Sequence, residues 1–286
     1  QAEDGIRDSV ASRGLGDVYK RQVLEIGPGT GNLTNEMLKR GARVLAVEKD
    51  RNLAEKLREG LCVEYKDAFE LVEGDFLKWD GLATAFERAT PETPRAKVVA
   101  NIPYNITGPL LDRLIGRLDR PVDPPYERLI LLVQKEVAER IRARAGHSSF
   151  SALSVRLQLL ARCQTVCPVP PRCFQPPPKV QSEVIRLDPL PADQRPDPDL
   201  CRGVERLLKQ AFLARRKMLR NTLAGVKPPD QLQELAQQAG IDLQQRPQDV
   251  APENWVALAR GLREAEPSAQ TLSLIHISEP TRRYAI

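Results

Sequence analysis

Short apolar segments alternate with amphipathic ones along the first half of this 286-residue chain, and this alternation constrains its fold more than any other feature. The apolar segments read VLEIG, RVLAVE, FELVEGDF, KVVAN and RLILLVQ. The stretches between them, such as NLTNEMLKRG and RNLAEKLREG, have the apolar spacing of amphipathic helices. Strands that alternate with helices at this spacing predict an α/β fold whose parallel sheet is doubly wound, with right-handed crossovers.

The pattern changes in the second half of the chain. SSFSALSVRLQLLA predicts a helix, and CQTVCPV and KVQSEVIRL predict two strands on either side of a stiff, proline-rich connection. LPADQRPDPD has the composition of a linker, and the residues beyond it, as far as 264, have helical spacing without a strand pattern. We therefore expect an α/β domain over residues 23–192 and a small all-helical domain over residues 197–265.

The two ends of the chain resemble translated adaptor or vector sequence. We expect residues 1–22 and 272–286 to be non-native tails and exclude them from the fold. The net charge is +5, and it stays positive without these tails, which favours a polyanionic partner. No uncharged apolar run approaches the length of about 18 residues that a membrane span needs, so we predict no membrane association.

The cysteines predict a cytoplasmic protein rather than a secreted one. There are five of them, an odd number, and no secretory leader precedes them, which is typical of reduced thiols in the cytosol. Cys163, Cys167 and Cys173 lie close enough in sequence to suggest zinc. However, the chain has no C-x2-C pair and no histidine near these residues, so we predict no metal site.

The ends of the predicted strands carry the candidate site. In open parallel sheets, ligands bind beyond the carboxyl ends of the strands. A glycine turn alone is weak evidence, because dinucleotide, mononucleotide and sulfonium cofactors all use one. The pattern here is E-x-G-x-G-x-G, not G-x-G-x-x-G, and no G-K-S/T follows, so a P-loop is excluded. The residues found at four successive strand ends are Gly27, Gly29 and Gly31, then Glu48, then Asp75, then Asn101.

The two acids at these ends suit an adenosine. A carboxylate at Glu48 can accept hydrogen bonds from two ribose hydroxyls, and Asp75 can accept one from an adenine amine, with Phe76 packing on the base. The alternative for each acid is a solvated strand end. Taken together, and without a turn suited to a pyrophosphate, the residues predict S-adenosylmethionine as the cofactor. Since this donor carries its own leaving group, the protein mainly has to orient the nucleophile.

The residues Asn101 to Tyr104, NIPY, have the form (D/N/S)-(P/I/L)-P-(Y/F). The amine of an aromatic base is a poor nucleophile because its lone pair is delocalised. The Asn101 side-chain oxygen and the Ile102 carbonyl can each accept one N–H and direct that lone pair at the methyl group. Pro103 adds rigidity, and Tyr104 offers a face for base stacking, worth roughly 1–3 kcal/mol. The alternative is a strand-end turn with a buried tyrosine.

A base taken out of its stack also needs a second wall. Phe174, within the proline-rich connection, is our candidate for that wall, whereas we expect Phe150 to belong to the core. These assignments do not follow from spacing alone.

A run of positive charge marks the helical part. The stretch from Arg202 to Lys227 contains eight basic residues and only one acidic residue, Glu205. We expect FLARRKMLRNTL to be one helix with an apolar stripe at Leu213, Leu219 and Leu223. The alternative is a solvated face, but the sign of the charge favours phosphate contacts, which position a nucleic acid without reading its sequence. The residues assigned to RNA binding are Arg215, Arg216, Lys217 and Arg220.

These motifs resemble the ribosomal RNA adenine N6,N6-dimethyltransferases. The resemblance rests on VLEIGPGTGNLT, VEKD, VEGDF, NIPYNITGPLL, FQPPPKVQSEVIRL, AFLARRKMLRNTL and RPQDV, spread over about residues 23–262. It implies a Rossmann-like S-adenosylmethionine-dependent methyltransferase sheet and a small C-terminal helical domain that faces RNA. Carried over to this chain, the cofactor contacts fall on Gly27, Glu48, Asp75 and Asn101, and the target-base contacts on Asn101, Tyr104 and Phe174.

Within that family the chain is most similar to the bacterial enzymes that dimethylate two adjacent adenosines near the 3′ end of small-subunit rRNA. The resemblance implies a cytoplasmic monomer that acts on this rRNA within a 30S particle. The alternatives are a large-subunit rRNA adenine methyltransferase, a non-catalytic 30S assembly factor and a DNA adenine methyltransferase. The family's basic N-terminal segment, which covers the cofactor, has no counterpart before Val23. We therefore expect weak activity, or none, from this chain.

Overall fold

The protein divides into two units at the bond between Pro198 and Asp199. The structure, a computed structural model, describes residues 22–82, 96–101 and 106–265. The first unit is an α/β sheet with helices, and the second is helical throughout its described part, as the sequence pattern predicts.

Among the described residues, seven strands form the sheet of the first unit. Five of them are mutually parallel, and the last two are antiparallel to their neighbours. The strands are β1 (Gln22–Ile26), β2 (Arg43–Glu48), β3 (Phe69–Glu73) and β4 (Ala96–Asn101), then the two-residue strands β5 (Gly116–Arg117) and β6 (Arg120–Pro121), which pair only with each other, and finally β7 (Tyr126–Gln134), β8 (Ala161–Val169) and β9 (Ser182–Pro189). In space the sheet runs β3-β2-β1-β4-β7-β9-β8.

Helices occupy the predicted positions between the strands. In the first unit they are α1 (Asn32–Lys39), α2 (Arg51–Glu59), α3 (Leu61–Glu64), α4 (Thr107–Ile115), α5 (Lys135–Arg142) and α6 (Ala152–Leu160). The helix α7 (Pro198–Phe212) begins at the boundary, and α8 (Leu219–Thr222), α9 (Pro229–Gln238) and α10 (Pro252–Glu264) complete the second unit. Short 3₁₀ turns lie at Pro171–Cys173, Ala192–Gln194 and Pro247–Asp249.

The strand order creates a switch point between β1 and β4. The chain runs outward from β1 to β2 and β3, then returns to place β4 on the other side of β1, with Ile26 beside Ala100. At such a point the loops after two neighbouring strands leave in opposite directions and open a crevice, where ligands of α/β sheets bind. The predicted alternation and the Rossmann-like fold class are confirmed.

Burial on both faces explains why the parallel strands read as apolar runs. In β1, Val23, Leu24 and Ile26 are all buried, and Glu25 between them is buried too. The helix α2 begins after Asp50, whose carboxylate accepts hydrogen bonds from the backbone N–H groups of Asn52 and Leu53. Such an N-cap satisfies two of the helix's unpaired donors.

Two details of the sequence interpretation were wrong. The third strand ends at Glu73, two residues before Asp75. FLARRKMLRNTL is not one helix, because α7 ends at Phe212 and residues 213–218 form a turn. After this turn the backbone N–H groups of Leu219 and Arg220 donate to the carbonyls of Gln245 and Leu243, at 2.8 Å each. This long-range pairing replaces the helical continuation.

Candidate active site

A cavity of about 340 Å³ opens at the carboxyl ends of β1 and β4. The glycine turn that follows β1 forms one side, and Asn101, the last residue of β4, forms another. Phe174, which follows the Pro171–Cys173 turn, closes a third. The cavity is large enough for a small organic ligand. Val99, Ile130, Leu132 and Val184 supply apolar lining, which we call the apolar floor.

The glycine turn presents bare backbone to this cavity. Gly27 and Gly29 have φ angles of +69° and +59°, and apart from the adjacent residues of the chain no described atom lies within 4 Å of the place where a Cβ would stand on either. A ligand can therefore lie directly against the main chain, which a side chain would prevent. Gly31 has a different role, because a Cβ there would lie 2.6 Å from Leu57 Cδ2 and 2.8 Å from Leu61 Cδ1. It allows close packing behind the turn and does not line the cavity.

Glu48 ties the glycine turn to the end of β2. Its carboxylate is almost buried, with 6% of the residue exposed. One oxygen accepts a hydrogen bond from the Gly29 N–H at 2.9 Å, and the other accepts one from the Asp50 N–H at 2.8 Å. A carboxylate has about four acceptor positions, so these two bonds leave acceptor capacity on Glu48, but Glu48 does not line the cavity.

Asp75 lies one strand further out. The Gly74 N–H donates to the Glu48 carbonyl at 2.7 Å, which holds the turn that carries Asp75 beside the end of β2. Lys49 Nζ lies 3.0 Å from one Asp75 oxygen, and the Leu77 N–H donates to the other at 3.0 Å. The Lys49 hydrogen bond, followed by the Leu77 N–H, lowers the pKa of Asp75. Asp75 is thus an ionised acceptor, but it does not line the cavity.

Phe76 is buried against α4 and likewise does not line the cavity. The Arg113 guanidinium carbon lies 5.4 Å from the Phe76 ring centroid, and the Trp79 ring lies 6.1 Å away. Arg113 also donates to the carbonyls of Leu77, at 3.2 Å, and Trp79. These contacts fix the turn after Asp75. The packing of Phe76 on the adenine base stays a prediction.

Asn101 and Phe174, 73 positions apart in sequence, line the same cavity. Asn101 is exposed at the end of β4 and pairs in register with Leu132 of β7. Phe174 is partly buried against the core and is held by a hydrogen bond from its N–H to the Pro171 carbonyl at 3.1 Å. Pro103 and Tyr104 lie outside the described residues. The assignment of Phe150 to the core is confirmed, since it is fully buried.

Glu25 is a cavity residue that our sequence interpretation did not assign. It lies in the middle of β1, is buried, and accepts a hydrogen bond from Thr34 Oγ1 at 2.6 Å. Burial raises its pKa to about 7; the Thr34 hydrogen bond opposes this rise, and the charge of Glu48 adds to it. The sequence feature that could have indicated this residue is the single acid within the otherwise apolar strand VLEI.

The four candidate RNA-binding residues of the second unit lie in and just after the turn, in what we call the basic segment (residues 213–220). Arg215 Nε donates to Gln248 Oε1 at 3.0 Å. Arg216, Lys217 and Arg220 are exposed and make no ion pair within the part of the chain that the structure describes. Arg216, Lys217 and Arg220 are therefore three cations that no acid of the described chain neutralises.

The described residues contain no group of three or more histidine, cysteine, aspartate or glutamate side chains arranged to bind a metal. None of the five cysteines, all within the described ranges, forms a disulfide. Within the same ranges, no helix has the length and apolar character needed to span a membrane.

Comparison with known proteins decides the family. Residues 12–264 match the family model for ribosomal RNA adenine dimethylase. The chain belongs to this family. It is therefore a methyltransferase, and the sequence resemblance to this family is confirmed.

The ribosomal RNA adenine dimethylase family includes close relatives of the chain. The ribosomal RNA small subunit methyltransferase A of Synechococcus sp. (strain WH7803) is 66% identical over 255 residues, which cover 88% of this chain and 87% of that relative. The protein of the same name from Prochlorococcus marinus (strain MIT 9313) is 60% identical over 246 residues, which cover 86% of this chain and 85% of the relative.

Solved structures support the same fold. The 23S rRNA methyltransferase ErmE is 27% identical, with a TM-score of 0.65 over 91% of this chain and 97% of that one. A dimethyladenosine transferase from Plasmodium falciparum is 24% identical, with a TM-score of 0.69 over 91% and 96% of the two chains. The second likeness shows the fold alone.

Glu25 gives this dimethylase-family chain a predicted pH dependence of stability. Its pKa is about 7 in the folded protein, against an ordinary value of 4.5. Between these values the folded protein keeps a proton that the unfolded chain has released, so stability falls as pH rises through this window, by up to about 3 kcal/mol. Glu25→Gln removes the ionisable group, and we expect its melting temperature to exceed that of the parent at pH 8 but not at pH 5.

Thermal unfolding at pH 5, 6, 7 and 8 measures this difference. Glu70→Gln, at an exposed carboxyl on β3, is the matched control and should follow the parent at every pH. The same pH dependence in the parent and in Glu25→Gln would contradict the assignment.

Proposed function

We propose that this chain transfers methyl groups from S-adenosylmethionine to the amines of two adjacent adenosines near the 3′ end of small-subunit rRNA, giving N6,N6-dimethyladenosine. The observation that carries the proposal is that Asn101 and Phe174 line the same cavity as the bare glycine turn. The relatives named as small-subunit methyltransferases are 60–66% identical, whereas the 23S enzyme is 27% identical. This difference favours small-subunit rRNA over large-subunit rRNA.

The residues at the strand ends fit this cofactor. Open space beside Gly27 and Gly29 admits the methionine part against the main chain. Glu48 has acceptor capacity for the ribose, and Asp75, held as a carboxylate, can accept from the adenine amine. When bound, S-adenosylmethionine supplies an electrophilic methyl group on a positively charged sulfur.

Asn101 would orient the nucleophile. Its side-chain oxygen, placed at the exposed end of β4, accepts one N–H of the target amine and turns the nitrogen lone pair toward the methyl group. Phe174, which lines the same cavity, would hold the flat base by stacking. Pro103 and Tyr104 keep the roles that the sequence predicts for them.

The second methylation requires the cavity to accept a base that already carries one methyl group. Val99, Ile130 and Leu132 line its floor with apolar surface, against which a methyl group packs without leaving a buried polar group unpaired. The chemistry of the floor is thus compatible with two successive transfers to one nitrogen.

The basic segment supports an RNA partner. Its unneutralised cations suit phosphate contacts, which contribute affinity without reading sequence. We extend the proposal to a monomeric protein that meets its rRNA within a 30S particle, in the cytoplasm.

Methyl transfer from a labelled donor to unmethylated 30S subunits tests the function. We expect label in small-subunit rRNA and primer-extension stops at two adjacent adenosines near its 3′ end. Stops in large-subunit rRNA without small-subunit ones would overturn the substrate assignment. Binding to 30S particles without any transfer would favour the assembly-factor alternative. The same assay with a chimera that carries the Synechococcus relative's N-terminal segment in place of residues 1–21 measures what that segment adds to the transfer rate.

A further inference from the structure

Leu213 and Met218 expose apolar side chains within the basic segment. In the described part of the chain, only four large hydrophobic residues are exposed, and two of the four lie within these six positions. Leu213 is 87% exposed, Met218 is 38% exposed, and the other two are Val63 at 58% and Val180 at 41%. One exposed leucine is unremarkable on a protein surface, but an apolar pair among unneutralised cations indicates a contact surface.

The fold holds Leu213 outward. The preceding residue, Phe212, packs toward Trp255, with ring centroids 6.4 Å apart. The turn after it is closed by a hydrogen bond from the Lys217 N–H to the Ala214 carbonyl at 2.8 Å. The hydrogen bond from Arg215 to Gln248 anchors the turn further. Leu213 is therefore exposed on a turn whose backbone is held in place by hydrogen bonds.

The charges around Leu213 indicate the chemistry of the partner. Arg216, Lys217 and Arg220 follow it within seven positions, and none pairs with an acid of the described chain. An anionic membrane would need a continuous apolar helical face, but the apolar residues of α7, such as Leu207 and Leu208, are buried within the unit. A small apolar projection next to a cationic turn fits the surface of an RNA helix better.

We propose that Leu213 is an apolar RNA contact, which packs on riboses and base edges in the minor groove of an rRNA helix while Arg216 and Lys217 bind the flanking phosphates. The minor groove of A-form RNA is wide and shallow and displays these surfaces. Apolar side chains of nucleic-acid-binding proteins commonly enter minor grooves. Met218 borders the same contact. The inference rests on the proposed function and adds how the second unit holds its substrate.

Salt dependence separates this contact from phosphate binding. The affinity for unmethylated 30S particles is measured between about 50 and 200 mM salt for the parent, Leu213→Ala, Arg216→Ala and the control Val63→Ala. We expect Leu213→Ala to weaken binding about tenfold at every salt concentration, with the slope of log K against log salt unchanged. Arg216→Ala should reduce that slope by about one, and Val63→Ala, an exposed valine of the first unit, should match the parent.

The outcomes distinguish this inference from the proposed function. Parental affinity in Leu213→Ala, alongside a changed slope in Arg216→Ala, would overturn the apolar contact and leave the function intact. A changed slope in Leu213→Ala would also overturn it, because the effect would then act through the neighbouring cations. Binding of the parent and Leu213→Ala to vesicles of phosphatidylglycerol and phosphatidylcholine is measured in parallel, and a loss there but not on 30S particles would overturn the RNA contact in favour of a membrane. Failure of the parent itself to bind or methylate 30S particles would count against the proposed function.

Discussion

Asn101→Ala should lower the turnover number for methyl transfer by at least about 10²-fold, with a smaller loss of cofactor affinity. The substitution deletes the oxygen that accepts an N–H of the target amine, so the nitrogen lone pair is no longer directed at the methyl group. Asn101 is exposed at the end of β4, so its side chain contributes little to the fold. Single-turnover transfer to 30S subunits, with the cofactor saturating, measures the chemical step.

Two further variants make this result specific. Asn101→Asp keeps an acceptor oxygen at the same place and should retain a measurable part of the rate, which Asn101→Ala should not. Asn52→Ala removes the same amide from an exposed position in α2, away from the cavity, and should turn over like the parent. An unchanged rate in Asn101→Ala would refute the orienting role.

The fold could be predicted from sequence because its elements follow from local pattern. Strands buried on both faces need continuous apolar residues, and the helices that cover them need one apolar stripe. In a parallel sheet the carboxyl ends of the strands lie at one edge. This rule assigned Gly27, Gly29 and Asn101 to one site. The structure places these residues around one cavity, together with Phe174, whose position depends on the proline-rich connection.

What the sequence could not show depends on long-range contacts. The stripe of Leu213, Leu219 and Leu223 has helical spacing, yet the helix ends at Phe212 and Leu213 is exposed. The backbone N–H groups of Leu219 and Arg220 donate instead to carbonyls at positions 245 and 243. Phe76 directly follows Asp75, a candidate cofactor residue, but its ring packs against the guanidinium of Arg113, which lies 37 positions later in the chain. In each case the partner lies far along the chain, where no periodicity reveals it.

Glu48→Ala should weaken cofactor binding by about 10²-fold and destabilise the fold by about 1–3 kcal/mol. The carboxylate accepts the N–H groups of Gly29 and Asp50, so its loss leaves two donors without their partner and loosens the turn that faces the cofactor. It also removes the acceptor assigned to the ribose. Calorimetric titration with S-adenosylhomocysteine, combined with thermal unfolding, measures both effects.

An analogue without the ribose hydroxyls separates the two contributions. The parent should bind S-adenosylhomocysteine more tightly than this analogue. Glu48→Ala should bind both equally, because the acceptor that recognises the ribose hydroxyls is gone. A loosened turn alone would weaken both ligands alike and would leave the preference unchanged. Glu73, the register partner of Glu48 on β3, provides the matched control. Its carboxylate forms a surface ion pair with Arg58 at 2.8 Å, worth at most about 1 kcal/mol, so Glu73→Ala should keep the parental preference. If Glu48→Ala keeps that preference too, the carboxylate supports the turn and does not bind the ribose.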